Sequence, residues 1–186
     1  MVTRRYSTSQ ISQGIDVGTK KHRLRIARNP RRRPRVRRAA SVVLLAIAGL
    51  HVAWGVGSSF PFASRERLAD TVVGEDEVPP PSACFAVAAA LCVGAGALSE
   101  VLALPSWLRV VVVRAMATVL GVRAVLGFLG ATSLISPGST SATFRRRDRA
   151  LYSPLTLALA VVALRSAHRL SEGATAYGRA DARPFR

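Results

Sequence analysis

Cysteine, lysine and acidic residues are scarce in this sequence of 186 residues. The two cysteines, Cys84 and Cys92, lie in one apolar stretch, and a helix would separate them by about 12 Å along its axis. A disulfide needs Cα atoms within about 7 Å of each other, which excludes a bond between them inside that helix. Their spacing fits no metal-ligand motif, so both are predicted to be small buried residues.

Motifs for catalysis and cofactor binding are also missing. The sequence has no nucleotide-binding loop, zinc motif, nucleophile elbow or haem-attachment motif. We therefore expect no cofactor and no metal site, and a non-enzymatic function is favoured. An enzyme remains an alternative, since these motifs do not cover all catalytic sites.

Positive charge and apolar residues occupy different parts of the chain. Lys and Arg total 27 against 10 Asp and Glu, a net charge of +17, although 49% of the residues are hydrophobic. Lysine occurs only at Lys20 and Lys21. The resulting Arg-rich composition, with abundant Ala, Val and Gly, is typical of GC-rich bacterial coding.

The first 38 residues are strongly basic and contain a single acid, Asp16. They show no helical periodicity and are predicted to be disordered. The tail matches no nucleic-acid-binding motif, so no nucleic-acid partner is expected. Attraction to anionic lipid head groups explains its charge more simply.

Four apolar stretches are long enough to cross a bilayer, for which a helix needs roughly 20 residues. They predict an all-α, integral membrane, antiparallel four-helix bundle with a disordered basic N-terminal tail. The domain boundaries follow as a tail over 1–38, a transmembrane domain over 39–167 and a C-terminal tail over 168–186. The predicted spans are about 39–57, 83–104, 108–130 and 150–167.

Two alternatives concern these stretches. A soluble bundle is disfavoured because the first two stretches have almost no polar face. A cleavable signal peptide would also show a basic region followed by an apolar run. Arg37-Arg38 hints at a twin-arginine signal, but the residues around the pair do not complete that pattern.

Arginine and lysine mark the cytoplasmic flanks of membrane spans. Both tails are basic, and an even number of spans puts them on one side, so both termini are predicted to be cytoplasmic in a multi-pass protein of the cell membrane. The connection between the third and fourth spans disagrees with this orientation. It is placed outside, yet it contains four arginines, Arg145, Arg146, Arg147 and Arg149.

The connection between the first two spans, residues 58–82, is acidic and contains a run of prolines. Three adjacent acids, Glu75, Asp76 and Glu77, could attract a cation, but the calcium-loop pattern is missing. This connection is therefore predicted to be a solvated loop.

An acid, Glu100, lies near the cytoplasmic end of the second span. The turn at Pro105 should bring Arg109 to the same depth, and Arg114 lies deeper but can extend back. We predict a structural charge pair between Glu100 and these two arginines that holds the hairpin together. A proton or ion relay is the functional alternative.

Polar and aromatic residues gather near the outer end of the spans. At about 1.5 Å per residue, His51 and Arg123 lie at a similar depth, about 10 Å below that end. Ionisable groups inside a membrane are costly and tend to face the bundle interior or a cavity. The sequence therefore predicts one candidate polar cluster, made of His51, Trp54, Arg123, Asp148, Tyr152 and Ser153.

A structural explanation of the same cluster stays open. Trp54 and Tyr152 fit an interfacial aromatic belt. Ser153 followed by Pro154 fits the start of a helix, and Asp148 complements the dipole of that helix. The functional alternative is a ligand or substrate pocket that opens outward.

Three segments resemble a family of small bacterial membrane proteins known as domain of unknown function 3995. They are H-V-A-W-G-V-G from His51, R-A-V-L-G-F from Arg123, and F-R-R-R-D-R-A-L-Y-S-P-L from Phe144. The resemblance covers residues 40–166 and implies four spans but no activity. The family pattern in the third span has an acid where this chain has Gly127. If that acid pairs with the arginine, Arg123 needs another partner here, and Asp148 is the nearest by depth.

Three functions remain open. The leading one is a non-enzymatic bundle that binds a lipid, a small molecule or a membrane protein partner, including a second copy of the chain. The second is a membrane enzyme that uses His51, Asp148 and Tyr152 for acid–base chemistry. The third is a small oligomeric transporter.

Overall fold

The computed structural model describes residues 32–134, 137–139 and 141–181, with side chains over residues 34–172 of these ranges. Most of the predicted disordered tail, residues 1–31, lies outside the described residues, as do residues 182–186. The described chain is helical and contains no strand. Its helices are α1 (Arg32–Gly55), α2 (Arg65–Leu68, continued by a π-helical turn over Ala69–Val73), α3 (Pro81–Ser99), α4 (Ser106–Leu129), α5 (Ala142–Arg147, continued by a π-helical turn over Asp148–Tyr152) and α6 (Ser153–Asp181).

Local chemistry explains where the long helices begin and end. Proline at the first position of α3 lacks only an N–H group that has no helical partner there. Helix α4 ends at Gly130, whose φ of 68° is the left-handed conformation that glycine adopts without strain. Helix α3 ends in the same conformation at Glu100, with φ of 65°, although this residue carries a side chain.

Helix α1 begins at Arg32 and thus includes residues that the sequence analysis assigned to the tail. Arginine is a good helix former, and a proline in the first turn, here Pro34, is tolerated. Helix α6 continues to Asp181, into the segment predicted as the C-terminal tail. Both helices therefore extend past their apolar stretches.

The four long helices form the predicted antiparallel bundle, in which α1 packs mainly on α3 and α4 mainly on α6. Alanine dominates the buried core, and small side chains let membrane helices approach closely. Across the first pair, the Ser41 hydroxyl donates a hydrogen bond to the Ala95 carbonyl at 3.1 Å. The fully or nearly fully buried core residues are Ala40, Leu44, Ala95, Ala97, Leu98, Val113, Ala117, Leu159, Ala163 and Ala167.

The outward faces of the long helices are apolar. Only 22 to 33% of the most apolar stretch of each is buried within the protein. Large aliphatic side chains such as Val42, Val119 and Leu164 are more than half exposed. A soluble bundle would cover such surface with polar residues, so the helices fit a lipid surround, and the chain is a multi-pass membrane protein.

The two cysteines differ in environment. Cys84 is buried, as predicted, but Cys92 is exposed. Cys92 lies on an outward face of α3 that the described helices leave open, so the prediction that it is buried was wrong for the single chain. The apolar stretch around it marks contact with lipid as well as contact with protein.

The two long connections pack together into a cap over the end of the bundle where α1 and α4 finish, which we call the cap end. The Ser141 hydroxyl donates to a carboxylate oxygen of Asp70, and the Ser141 amide donates to the Gly74 carbonyl at 3.2 Å. The buried Phe144 ring lies against the Gly74 backbone, where a Cβ would stand 2.7 Å from the ring. The helical part of this connection, residues 65–74, is therefore a packed element that the prediction of a solvated loop did not include, whereas the acids Asp76 and Glu77 are exposed.

Candidate functional site

A bidentate ion pair joins α4 to the segment before α6. Arg123 donates from Nη1 to Asp148 Oδ2 at 3.1 Å and from Nη2 to Asp148 Oδ1 at 2.9 Å. The Asp148 side chain is 2% exposed and that of Arg123 is 25% exposed. The buried Ser153 hydroxyl donates to Asp148 Oδ1 at 3.2 Å. This is the partner for Arg123 that the depth argument predicted.

Gly127 leaves the space that this pair occupies. It follows Arg123 by one helical turn on α4. A Cβ at this position would overlap the Ser153 hydroxyl and would lie 2.7 Å from Asp148 Oδ2 and 2.8 Å from Arg123 Nη1. The missing side chain therefore lets the start of α6 approach α4 closely enough for Asp148 to reach Arg123.

His51 and Trp54 lie one turn apart near the end of α1, with their ring centroids 4.9 Å apart. His51 Nδ1 donates to the Ile47 carbonyl at 2.8 Å, because a carbonyl oxygen can only accept. Nδ1 therefore carries a proton in this arrangement, and the hydrogen bond fixes the orientation of the His51 ring. Trp54 donates from Nε1 to the Phe60 carbonyl at 2.7 Å, which ties α1 to the cap.

A cavity of about 340 Å³ lies beneath the cap. Its polar lining is His51, Arg123 and Thr132, and the Trp54 ring forms part of the wall. Phe144 covers it from the cap, with the Arg123 guanidinium carbon 6.0 Å from the centre of that ring. The remaining lining is mainly aliphatic and comes from the cap and from the start of α3, namely Leu68, Val72, Val73, Val78, Pro79, Ala83, Cys84 and Val87.

The predicted cluster is thus divided into two layers. His51, Trp54 and Arg123 line the cavity, whereas Asp148 and Ser153 lie behind Arg123. The half-buried Tyr152 bonds through its hydroxyl to the Thr71 carbonyl at 3.5 Å and so helps to hold the cap. The three residues that acid–base chemistry would need do not share one cavity wall.

Glu100 takes a partner that the sequence analysis did not predict. Its carboxylate lies 2.6 Å from Arg37 of α1. Arg109 instead donates to the Leu102 and Leu104 carbonyls, and Arg114 donates to the Ser171 hydroxyl. The predicted charge pair of Glu100 with Arg109 and Arg114 does not form in the described chain, because α1 begins early enough to bring Arg37 to Glu100.

Several residues of the site carried no recognisable signal in the sequence. Phe144 and Gly74 build the roof through a contact between two separate connections, and no local pattern reveals it. The helix caps could have been found, since Ser64 and Ser141 each accept a hydrogen bond from the amide three residues later. Two such caps indicate that both connections contain short helices.

The geometry suits binding more than chemistry. Asp148 neutralises Arg123, which leaves guanidinium N–H groups at the cavity wall as donors, and the His51 ring lies on the same wall. The Ser153 hydroxyl is fully buried behind the pair and does not line the cavity. In the described ranges, no three His, Cys, Asp or Glu residues are grouped so that they could hold a metal ion.

Residues 44–163 match the family model described as Protein of unknown function (DUF3995). The match covers α3 and α4 completely, α1 and α6 in part, and every residue of the cavity wall. No curated protein and no solved structure matches the chain.

Proposed function

The chain belongs to the DUF3995 family, and we propose that it is a non-enzymatic membrane protein that binds a small, mainly apolar molecule in the cavity under its cap. The observation that carries this proposal is the cavity itself. Its volume of about 340 Å³ is within the range of ligand pockets, about 300 to 1,000 Å³. Such pockets are mostly apolar with a few polar groups that fix the orientation of the ligand.

The charge at the wall selects the polar group of the ligand. Asp148 already compensates Arg123, so an anionic ligand would add a second negative charge against one positive charge. A neutral acceptor, such as an ester, ketone or amide oxygen, can accept from the free N–H groups of Arg123 without that cost. The chemistry therefore favours an uncharged amphipathic molecule, such as an acyl ester from the surrounding membrane.

Tryptophan fluorescence tests this directly, because one of the two tryptophans lines the cavity. In a Trp107→Phe variant, only Trp54 reports. We expect methyl 11-bromoundecanoate to quench Trp54 saturably, since bromine quenches only on close approach, and the free acid to quench it more weakly. Ala83→Leu, which fills the cavity without touching the ion pair, should abolish the saturable part.

The matched control is Trp54→Phe, in which Trp107 reports from the opposite end of α4. Quenching of Trp107 should rise with the probe concentration without saturation, because this side chain meets only probe molecules dissolved in the detergent. Equal quenching curves from the two reporters, or no effect of Ala83→Leu, would refute the cavity as a binding site.

We propose further that the protein lies in the cell membrane with both tails in the cytoplasm and the cap outside. The basic tails and the acidic first connection support this orientation, and the N-terminal tail then faces anionic lipids of the inner leaflet. Single cysteines at Ser12, Asp76 and Thr143, after removal of Cys84 and Cys92, test it in intact cells. A membrane-impermeant maleimide should label the cysteines at positions 76 and 143 only. Labelling of Ser12→Cys alone would show the opposite orientation, with the tails outside and the cap in the cytoplasm.

A further inference from the structure

A second site lies outside the cavity, on the surface of α5. Arg145, Arg146 and Arg149 line one open groove together with Ala142 and Ala150, and all three arginines are exposed. The groove has a volume of about 470 Å³. From this convergence we propose that the groove binds a phosphate group, in the form of a phospholipid head group or of a soluble phosphate.

The three arginines have no acidic partner among the described residues. Asp148, the nearest acid in the sequence, is buried in its pair with Arg123. Asp70 of the cap accepts from Ser141. Three positive charges on neighbouring turns repel each other, so an anion bound between them removes a repulsion that the fold itself leaves in place.

One wall of the groove is held in position. The Arg149 guanidinium lies against the backbone of Gly130, 2.5 Å from where a Cβ would stand. Gly130 is the residue at which α4 ends, and the unpaired carbonyls at a helix C-terminus attract a cation. Arg149 therefore forms a wall of the groove and is held at the end of α4, and a guanidinium can bind phosphate oxygens through two parallel hydrogen bonds.

The location suits a lipid head group. The groove lies at the end of the bundle where α4 leaves the apolar zone, and the exposed Leu134 and Leu151 flank it in the chain. Arginine beside exposed leucine is the arrangement of a segment that rests at the membrane surface. The site also gives a reason for three of the four arginines that the charge rule alone would place in the cytoplasm.

The neighbouring Arg147 provides a matched control. It belongs to the same helix and carries the same charge, but it does not line the groove, and its side chain approaches the Tyr152 hydroxyl. Loss of Arg147 thus removes one charge from the cap end without changing the groove. Any effect confined to the other three arginines is due to their convergence.

The test is a titration of the full-length protein in dodecyl maltoside with phosphatidylglycerol, followed by native mass spectrometry. The triple variant Arg145→Gln, Arg146→Gln, Arg149→Gln should bind the lipid on the order of 100-fold more weakly, and Arg149→Gln alone about fivefold more weakly. Arg147→Gln should bind like the wild type. The basic N-terminal tail is present in every variant, so its own attraction for lipid does not enter the comparison.

Two competitors identify the source of the phosphate. Phosphatidylcholine and glycerol 1-phosphate are each added to the complex with phosphatidylglycerol. Displacement only by lipid assigns the groove to a head group, and displacement by glycerol 1-phosphate at a similar concentration assigns it to a soluble phosphate. Equal binding by the triple variant and the wild type, or equal losses for Arg147→Gln and Arg149→Gln, would overturn the proposal. If the triple variant does not fold, as judged by its helicity and elution volume, the single variants decide by the same criterion.

Discussion

Among the described residues, an arginine–carboxylate pair is found at each end of the bundle, and these two pairs differ in burial and in geometry. At the cap end, Arg123 and Asp148 share two hydrogen bonds, and the acid is 2% exposed. At the other end, Arg37 meets Glu100 through one short contact, with the side chains 28% and 40% exposed. The first pair is enclosed by the fold, whereas the second is open to water and head groups.

The comparison shows how differently the described residues surround the two pairs. A buried pair requires a shaped surround, because an ion without its partner in a low-dielectric interior is costly. Gly127, Ser153 and Phe144 supply that surround at the cap end. An exposed pair needs no such support and contributes at most about 1 kcal/mol. We therefore interpret the cap end as a preorganised wall and the other end as a loose clamp between α1 and α3.

The largest effect is expected from Asp148→Asn, which removes the charge but not the shape. It leaves Arg123 without compensation and should lower the free energy of unfolding by roughly 3 kcal/mol, the low end for a buried pair because Arg123 stays a quarter exposed. The measurement is unfolding by sodium dodecyl sulfate in mixed micelles, followed by circular dichroism. The double variant Arg123→Met, Asp148→Leu should regain most of the loss. A loss below about 1 kcal/mol would show that this pair behaves like an exposed one.

The next largest effect concerns the space at Gly127. Gly127→Ala should destabilise the protein by about 1 to 3 kcal/mol, because the new methyl group overlaps Ser153 and crowds both members of the pair. Gly49→Ala is the matched control, since a Cβ there meets nothing within 4 Å. In the middle of α1 that change should stabilise by up to about 1 kcal/mol. The same unfolding assay compares the two variants. Changes in the free energy of unfolding with the same sign would contradict the close packing at Gly127.

The difference between the two ends also separates what the sequence could predict from what it could not. Hydropathy predicted the four long helices, because a run of about 20 apolar residues is typical of a membrane-spanning helix. Helical rise predicted that His51 and Arg123 share a depth and that Asp148 is the acid nearest to Arg123 by depth, because all these positions are counted from the same end of the spans. These are one-dimensional properties, and they survive without knowledge of the tertiary structure.

The remaining features depend on contacts between distant segments. Phe144 covers the cavity because Gly74, in a different connection, leaves room for its ring. Glu100 was assigned to Arg109 and Arg114 because the turn at Pro105 should bring them to a similar depth. The early start of α1 instead placed Arg37 beside Glu100. Cys92 and Cys84 lie in the same apolar stretch, and only the packing of α3 shows that one faces the core and the other faces outward.

A third prediction addresses the cap that closes the cavity. The Ser141 hydroxyl accepts from the Phe144 amide at 3.3 Å and donates to Asp70, so Ser141→Ala loses both a helix cap and a contact between the two connections. We expect this to lower the stability of the closed cap by about 1 kcal/mol. If the change affects the cap alone, the population of molecules with an open cap rises about fivefold. Cys84, which is buried and lines the cavity, should then react about fivefold faster with a maleimide. Cys92 is already exposed, so its rate should not change, and parallel changes at both cysteines would indicate general loosening of the bundle.

The smallest effect is expected at the open pair, where two variants separate charge from conformation. Glu100→Gln keeps the side chain and removes the ion pair with Arg37, at a cost of at most about 1 kcal/mol that shrinks as salt is added. Glu100→Gly removes the same pair, but glycine adopts the left-handed backbone at φ of 65° without strain. The relief of strain should stabilise the protein by about as much as the loss of the pair destabilises it. The glycine variant is therefore expected to be at least as stable as the glutamine variant in the unfolding assay. If Glu100→Gly is clearly less stable than Glu100→Gln, the Glu100 side chain stabilises the protein through packing as well as through charge. The exposed pair would then resemble the buried pair more than its exposure suggests.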